Sequence, residues 1–126
     1  AAMVTDFRTL QHGDTIRDAG NLLLATSQQD FPVMHGGGVV GLLTRSALIR
    51  AMLSQGPDAY VAGAMDRDFV RIPPEMDLSD AFNKSSGSCA LVMEEDNLLG
   101  LLTAENLSEF LVLRQINFIQ GKSRAS

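Results

Sequence analysis

Thr103 and Asn106 stand three residues apart at the predicted start of a helix, a spacing that puts both side chains at the same helix end. Free backbone N–H groups and the positive end of the helix dipole gather there, which suits an anionic group such as phosphate. The same pair also suits plain capping, with Thr103 as N-cap and Asn106 as a polar first-turn residue. Spacing alone leaves both readings open. Thr44 stands at the head of an earlier helix in the same way, followed by Arg45, a cation that could meet a phosphate, a partner chain or only solvent.

Other reactive residue types carry less. His12 and His35 are too few and too scattered to suggest a metal site. Cys89 has no base placed beside it and reads as a small buried hydrophobe. Asp14, Asp18, Glu75 and Asp80 fall at caps and turns, and Glu94-Glu95-Asp96 reads as a solvated turn. Gly36-Gly37-Gly38 reads as a hairpin reversal, because a phosphate loop would add Lys-Ser or Lys-Thr and open directly onto a helix. The expectation is no catalytic residue, no metal and no enzyme activity.

The elements that position these residues are written twice. Val39-Val40-Gly41-Leu42-Leu43-Thr44 returns 59 residues later as Leu98-Leu99-Gly100-Leu101-Leu102-Thr103. Each copy is an apolar strand ending in a Thr that caps a helix. Upstream, Phe7-Arg8-Thr9-Leu10 returns at an offset of 62 as Phe69-Val70-Arg71-Ile72. Thr15 and Asp18 open a helix expected over 16–27, with Ile16, Ala19, Leu22 and Leu23 on its apolar face. Asp77 and Asp80 take the same places before Leu78, Ala81 and Phe82, in a shorter helix ending near Lys84. Phe31 to Met34 and Cys89 to Met93 are the matching strands, and Pro32 suggests an edge or strand-entry position. The helix after Thr44 turns Leu48, Ala51 and Met52 inward. The helix after Thr103 turns Leu107, Phe110, Leu111 and Ile116. Each half reads strand, helix, strand, strand, helix. The hairpin strands are too apolar to face water, so one face should meet helices and the other the opposite half.

This pattern gives an α/β (α+β) fold of two similar, pseudo-twofold halves. The expected divisions are 7–55, a linker over 56–68, 69–114, and an extension and frayed tail over 115–126. A half of about 60 residues is marginal alone, so the two should share a core. The net charge of -5 argues against a nucleic-acid partner. A single Cys fits a reducing, cytoplasmic setting, and no apolar run is long enough to cross a bilayer. Ala1-Ala2-Met3 is an unusual start, as in a chain that is part of something larger.

Over residues 9–114 the chain resembles a tandem pair of cystathionine-beta-synthase (CBS) domains, a Bateman module. The resemblance is carried by Phe31-Pro32-Val33, Val40 to Thr44, Val61-x-x-x-Met65 and Leu99 to Asn106, in order and at the right spacing. The phrases Gly41 to Arg45 and Gly100 to Leu107 are also similar to CBS pairs fused behind site-2-type membrane zinc proteases. This chain carries neither the His-Glu-x-x-His motif nor the membrane spans of such a protease. The resemblance implies a non-catalytic regulatory module, paired as a disc-shaped homodimer and controlling a fused or partner effector. It further implies AMP, ADP, ATP or S-adenosylmethionine in the cleft between halves. In the family phrase Gly-x-x-Thr-x-x-Asp, the Thr lies near phosphate and the Asp holds the ribose hydroxyls. Here the Asp positions are Ala47, which has no acceptor, and Asn106, which can hydrogen-bond without charge. The expected ligand site therefore uses Thr103 and Asn106, with Val70, Ile72, Pro73, Ala90 and Val92 around adenine. Thr44 and Arg45 form a weaker half-site. The alternative is a ligand-free dimerisation and scaffolding module.

Overall fold

The computed structural model describes residues 3–86, 88–109, 112, 115 and 116. The first half contains β1 (Leu10–Gln11), α1 (Ile16–Ala25), β2 (Asp30–His35), β3 (Gly38–Thr44) and α2 (Arg45–Gln55). A 3-10 turn (Val61–Gly63) leads to β4 (Val70–Ile72), α3 (Leu78–Ser85), β5 (Ala90–Glu94) and β6 (Asn97–Leu102), and residues 104–109 are helical again. Each half holds a three-stranded sheet with the hairpin antiparallel and the leading strand parallel to it, in the orders β1-β2-β3 and β4-β5-β6. Both hairpins bulge at the same repeat position, Val33/Met34 and Val92/Met93.

Strand alternation explains how the halves join. Phe31, Val33 and Leu43 face α1 and α2, together with Ile16, Ala19 and Leu48. Ala90, Val92 and Leu102 face the second half's helices, together with Ala81 and Leu107. The residues between them, Val39 and Leu42 from one sheet and Cys89, Leu91, Met93 and Leu101 from the other, form a third buried cluster. Both faces of each hairpin are thus covered, as its apolar sequence predicts.

Each sheet is finished by a segment that leads into the other half. Asp66 bridges Leu42 with backbone bonds of 2.9 and 2.8 Å, and Val4 bridges Leu101 with bonds of 2.7 and 2.9 Å. Met65 and Met3 ride above Gly41 and Gly100. A β-carbon on Gly41 would meet the Met65 sulfur at 2.5 Å, and one on Gly100 would meet the Met3 sulfur and the Val4 carbonyl oxygen at 2.8 Å. Glycine stands at these two positions because a neighbouring segment occupies the side-chain volume.

Several local expectations shift. The extended stretch from Phe7 joins the sheet only at Leu10. Before that, the Gln28 side chain serves the backbone of Arg8, accepting from its N–H at 2.7 Å and donating to its C=O at 2.8 Å. Helix α1 stops at Ala25, not 27, because the Thr26 hydroxyl turns back to the Leu22 carbonyl. Pro32 lies in the central strand rather than at an edge. Strand β1 reaches only Val33 and Met34, so the missing N–H of Pro32 has no partner strand to serve. Ile116 is 44% exposed and does not extend the buried stripe. Phe110, Leu111 and the tail over 117–126 lie outside the described residues.

Candidate functional site: two related clefts between the halves

Thr103 and Asn106 engage each other. The Asn106 side-chain oxygen accepts from the Thr103 hydroxyl at 2.8 Å and from the Thr103 N–H at 3.3 Å, and the Thr103 hydroxyl accepts from the Asn106 N–H at 3.1 Å. This reciprocal cap satisfies two N–H groups at the helix start and fixes both side chains. The pair borders a cleft of about 480 Å³ whose other walls include Asp6, residues 27–30, Glu105 and Glu109. That volume lies within the ~300–1,000 Å³ of small-molecule sites.

The repeat makes a second cleft, of about 470 Å³. Thr44 and Ser46 line it opposite Asp66, Asp68, Phe69, Val70, Ser85, Ser88 and Cys89. Thr44 caps α2 by accepting from the Ala47 N–H at 3.2 Å. Ala47 returns no bond, so this cap is one-sided. No Lys or Arg lines either cleft among the described residues, while both include carboxylates: Asp6, Asp30, Glu105 and Glu109 in one, Asp30, Asp66 and Asp68 in the other.

Asp30 belongs to both. It and Cys89 occupy the same repeat position in the two halves, and their side chains interact across the junction. Burial pushes the Asp30 carboxyl above its ordinary range, opposed by the Arg45 backbone N–H and the Cys89 thiol. Burial, with the Asp30 charge beside it, pushes Cys89 up to about 12, so the thiol stays protonated and unreactive.

The structure spreads the expected adenine-site residues over separate places. Ile72, Pro73 and Val92 line a small apolar cavity of about 150 Å³ with Met3, Pro74, Met76, Leu78 and Leu102. Val70 faces the cleft of Thr44, Ala90 is fully buried in the second core, and Arg45 lies on the outer face of α2. His12 and His35 are not scattered, since their rings approach to 4.7 Å. Among the described residues, no three His, Cys, Asp or Glu side chains are grouped to hold a metal ion.

Sequence reasoning passed over Met3, Asp6, Asp30, Asp66 and Asp68. A signal was present: Ala2-Met3-x-x-Asp6-Phe7 returns as Ala64-Met65-x-x-Asp68-Phe69 at the offset of 62. The repeat therefore begins before Phe7, in the segments that cross between sheets.

A family model for the CBS domain matches residues 1–54 and 61–113. The chain belongs to the CBS-domain family. No curated protein matches it. Among solved structures, a CBS domain pair of protein MJ0100, in complex with 5′-methylthioadenosine and S-adenosyl-L-methionine, is 17% identical. It matches over 89% of this chain and 94% of that one with a TM-score of 0.76. An uncharacterized conserved protein from Pyrococcus horikoshii is 23% identical over 86% of each chain, with a TM-score of 0.76. A hemolysin-like protein containing a CBS domain, from Oenococcus oeni PSU, is 25% identical, covers 86% of this chain and 85% of that one, and has a TM-score of 0.73. These likenesses support the CBS pair fold. Among the described residues, no helix of this CBS pair is long and apolar enough to cross a membrane.

Proposed function

We propose that this CBS pair is a non-catalytic regulatory module that binds an adenosine compound in the cleft of Thr103 and Asn106 and controls an attached or partner protein. The observation that carries this reading is the cleft itself. It is open, large enough for a nucleoside, and bordered by the Thr and Asn that stand at the family's phosphate and ribose positions. Support also comes from the MJ0100 pair, whose bound molecules are adenosine derivatives.

Charge narrows the choice of ligand. A polyphosphate would enter between carboxylates with no lining cation among the described residues to offset them. S-adenosylmethionine, with its sulfonium and ammonium groups, meets the opposite field, and a neutral thioadenosine carries no penalty. The proposed order of affinity is S-adenosylmethionine first, then AMP, then ATP. Ligand binding would favour one arrangement of the halves and so shift the state of the effector.

One observation favours the second reading, a ligand-free scaffold. Thr103 and Asn106 already satisfy each other, so neither needs a ligand. Calorimetry with the three compounds, using Asn106→Ala as control, separates the readings. Saturable binding of one molecule per chain, lost in the control, supports the sensor. A folded protein that gives no heat at millimolar ligand supports the scaffold.

A further inference from the structure

The two histidines line neither cleft, yet the fold puts them side by side. Strand β1 runs parallel to β2 with Leu10 beside Val33 and Gln11 beside Met34. One residue further on, the His12 N–H donates to the Met34 carbonyl at 2.8 Å, so the same register sets His12 beside His35. Their ring centres are 4.7 Å apart, and the ring planes are tilted by 38°. Both backbones are pinned. Asp14 closes the turn that carries His12, its carboxylate accepting from the Gln11 N–H at 2.8 Å and its own N–H donating to the Gln11 carbonyl at 2.9 Å. Gly36 and Gly37, both at positive φ, reverse the chain after His35, which pairs with Gly38 across the turn.

That spacing has a chemical meaning. An imidazole nitrogen ligates a divalent transition-metal ion at about 2.1 Å, which puts the ring centre about 3.2 Å from the ion. Two rings on one ion then have centres about 4.5 Å apart at a right angle and about 5.2 Å apart at the tetrahedral angle. The observed separation lies between these, nearer the right angle that neighbouring ligands make in tetragonal and octahedral complexes. Packing explains the contact less well, because His35 is exposed and His12 only half-buried, so little apolar area leaves water.

The pair belongs to the first half alone. The second half has Pro74 at the position of His12 and Glu94 at that of His35. It also stands apart from the clefts. His35 and Asp30 are the two ends of β2, a separation of about 17 Å along the strand.

We propose that His12 and His35 form a two-imidazole site for a divalent late first-row metal ion, with Cu²⁺ held more tightly than Ni²⁺ or Zn²⁺. Among the described residues, no third His, Cys, Asp or Glu joins them, so water fills the remaining positions and the ion exchanges with solution. Bound there, the ion ties β1 to β2 just before α1 and stabilises the first half at a distance from both clefts. The site stands whether or not the Thr103 cleft takes a nucleoside.

Calorimetry with Cu²⁺ and with Ni²⁺ on the untagged 126-residue chain tests it, together with pulsed EPR of the Cu²⁺-loaded protein to count bound imidazoles. The expected result is one ion per chain carrying two imidazoles, with a melting temperature that rises with metal and returns with EDTA. His12→Ala and His35→Ala should each weaken binding by at least about tenfold, and by similar factors, because each removes the intramolecular second ligand. Circular dichroism checks the fold of each variant. If His12→Ala disturbs its turn, the milder His12→Gln replaces it beside the exposed His35→Ala. Either single variant binding as tightly as the parent, or an EPR signal of one imidazole per ion, would mean an adventitious ion only and overturn the proposal. A parent chain that gives no heat with Cu²⁺ would overturn it equally.

Discussion

The two halves share a backbone plan and differ in what lies over the first turn of the leading helix. In the first half, the segment after α2 closes that end. The Ile16 and Arg17 N–H groups donate to the Ala59 and Pro57 carbonyls, the Val61 N–H donates to the Asp14 carbonyl, and Val61 is fully buried in the first core. In the second half, the matching region is Pro73, Pro74, Met76 and Leu78, and these residues line an apolar cavity instead. A repeat can therefore keep its sheet and helices while one copy closes that end by packing and the other leaves a cavity there. Side chains at the matching Thr positions follow the same division. Asn106 reciprocates its cap, whereas Ala47 does not.

The largest expected effects break the symmetry between the crossing segments. Gly100→Ala should cost about 3 kcal/mol, because the added carbon meets the Val4 backbone carbonyl, which cannot rotate away without losing its bond to Leu101. Gly41→Ala should cost less, about 2 kcal/mol, because its obstacle is the Met65 side chain. Urea denaturation of the two variants measures the difference, and equal losses would remove this distinction between the halves.

Next in size is an attempt to make the cleft of Thr44 resemble that of Thr103. Ala47→Asp supplies an acceptor to the Thr44 hydroxyl and to a ribose diol, and should add a second, weaker binding event in calorimetry. A hydrogen bond to a charged group is worth about 1.5–3 kcal/mol, or roughly tenfold or more in affinity. An unchanged stoichiometry of one would show that the field of Asp66 and Asp68 outweighs that contact.

A pH titration sharpens the comparison of Asp30 with Cys89. The folded state holds the Asp30 proton more tightly than the unfolded state does. Its contribution to stability is therefore complete below the unfolded carboxylate pKa and is lost as pH rises through the raised folded value. Asp30→Asn should flatten that part of the stability–pH curve and leave the rest. Cys89 follows the same sign at higher pH, where its contribution is lost between the ordinary thiol range and about 12. At neutral pH, alkylation of the native thiol should be at least about a hundredfold slower than in denaturant.

The smallest effect concerns the hairpin turns. Gly36 and Gly37 take positive φ angles of 60° and 83° at no steric cost, whereas Glu95, at the position of Gly36, is held at 56°. Glu95→Gly should stabilise the protein by about 1 kcal/mol, read as a rise in melting temperature.

Much of this arrangement was legible in the residues. The doubled Gly-Leu-Leu-Thr phrase located both hairpins and both following helices. The apolar character of both faces of Phe31 to Leu43 required two covering partners, and the structure supplies them. The crossing segments were harder to read because they carry no periodicity of their own. Met3-Val4 and Met65-Asp66 are held by one bridge each, and only their recurrence marks them. The clefts were less legible still. Asp6, Asp30, Asp66 and Asp68 come from four separate stretches, and each looks like an ordinary surface acid until the halves are docked. The division of Ile72, Val70 and Thr103 among three cavities follows from strand alternation and from Met3 entering the space beside Gly100, a residue that reads locally as the start of a loose leader.

The crossing segments also set an order of assembly. The strand that finishes the first sheet comes from Asp66, about 25 residues after its partner, so that sheet can be complete before the second half is made. The strand that finishes the second sheet comes from Val4, about a hundred residues before its partner Leu101. A ribosome delivers Val4 well before Leu101, so the earlier segment must wait unpaired while the residues between them are made. The half with the open cavity is thus completed by a segment that precedes the first half. Damage at Met3 or Val4 is felt in the second half.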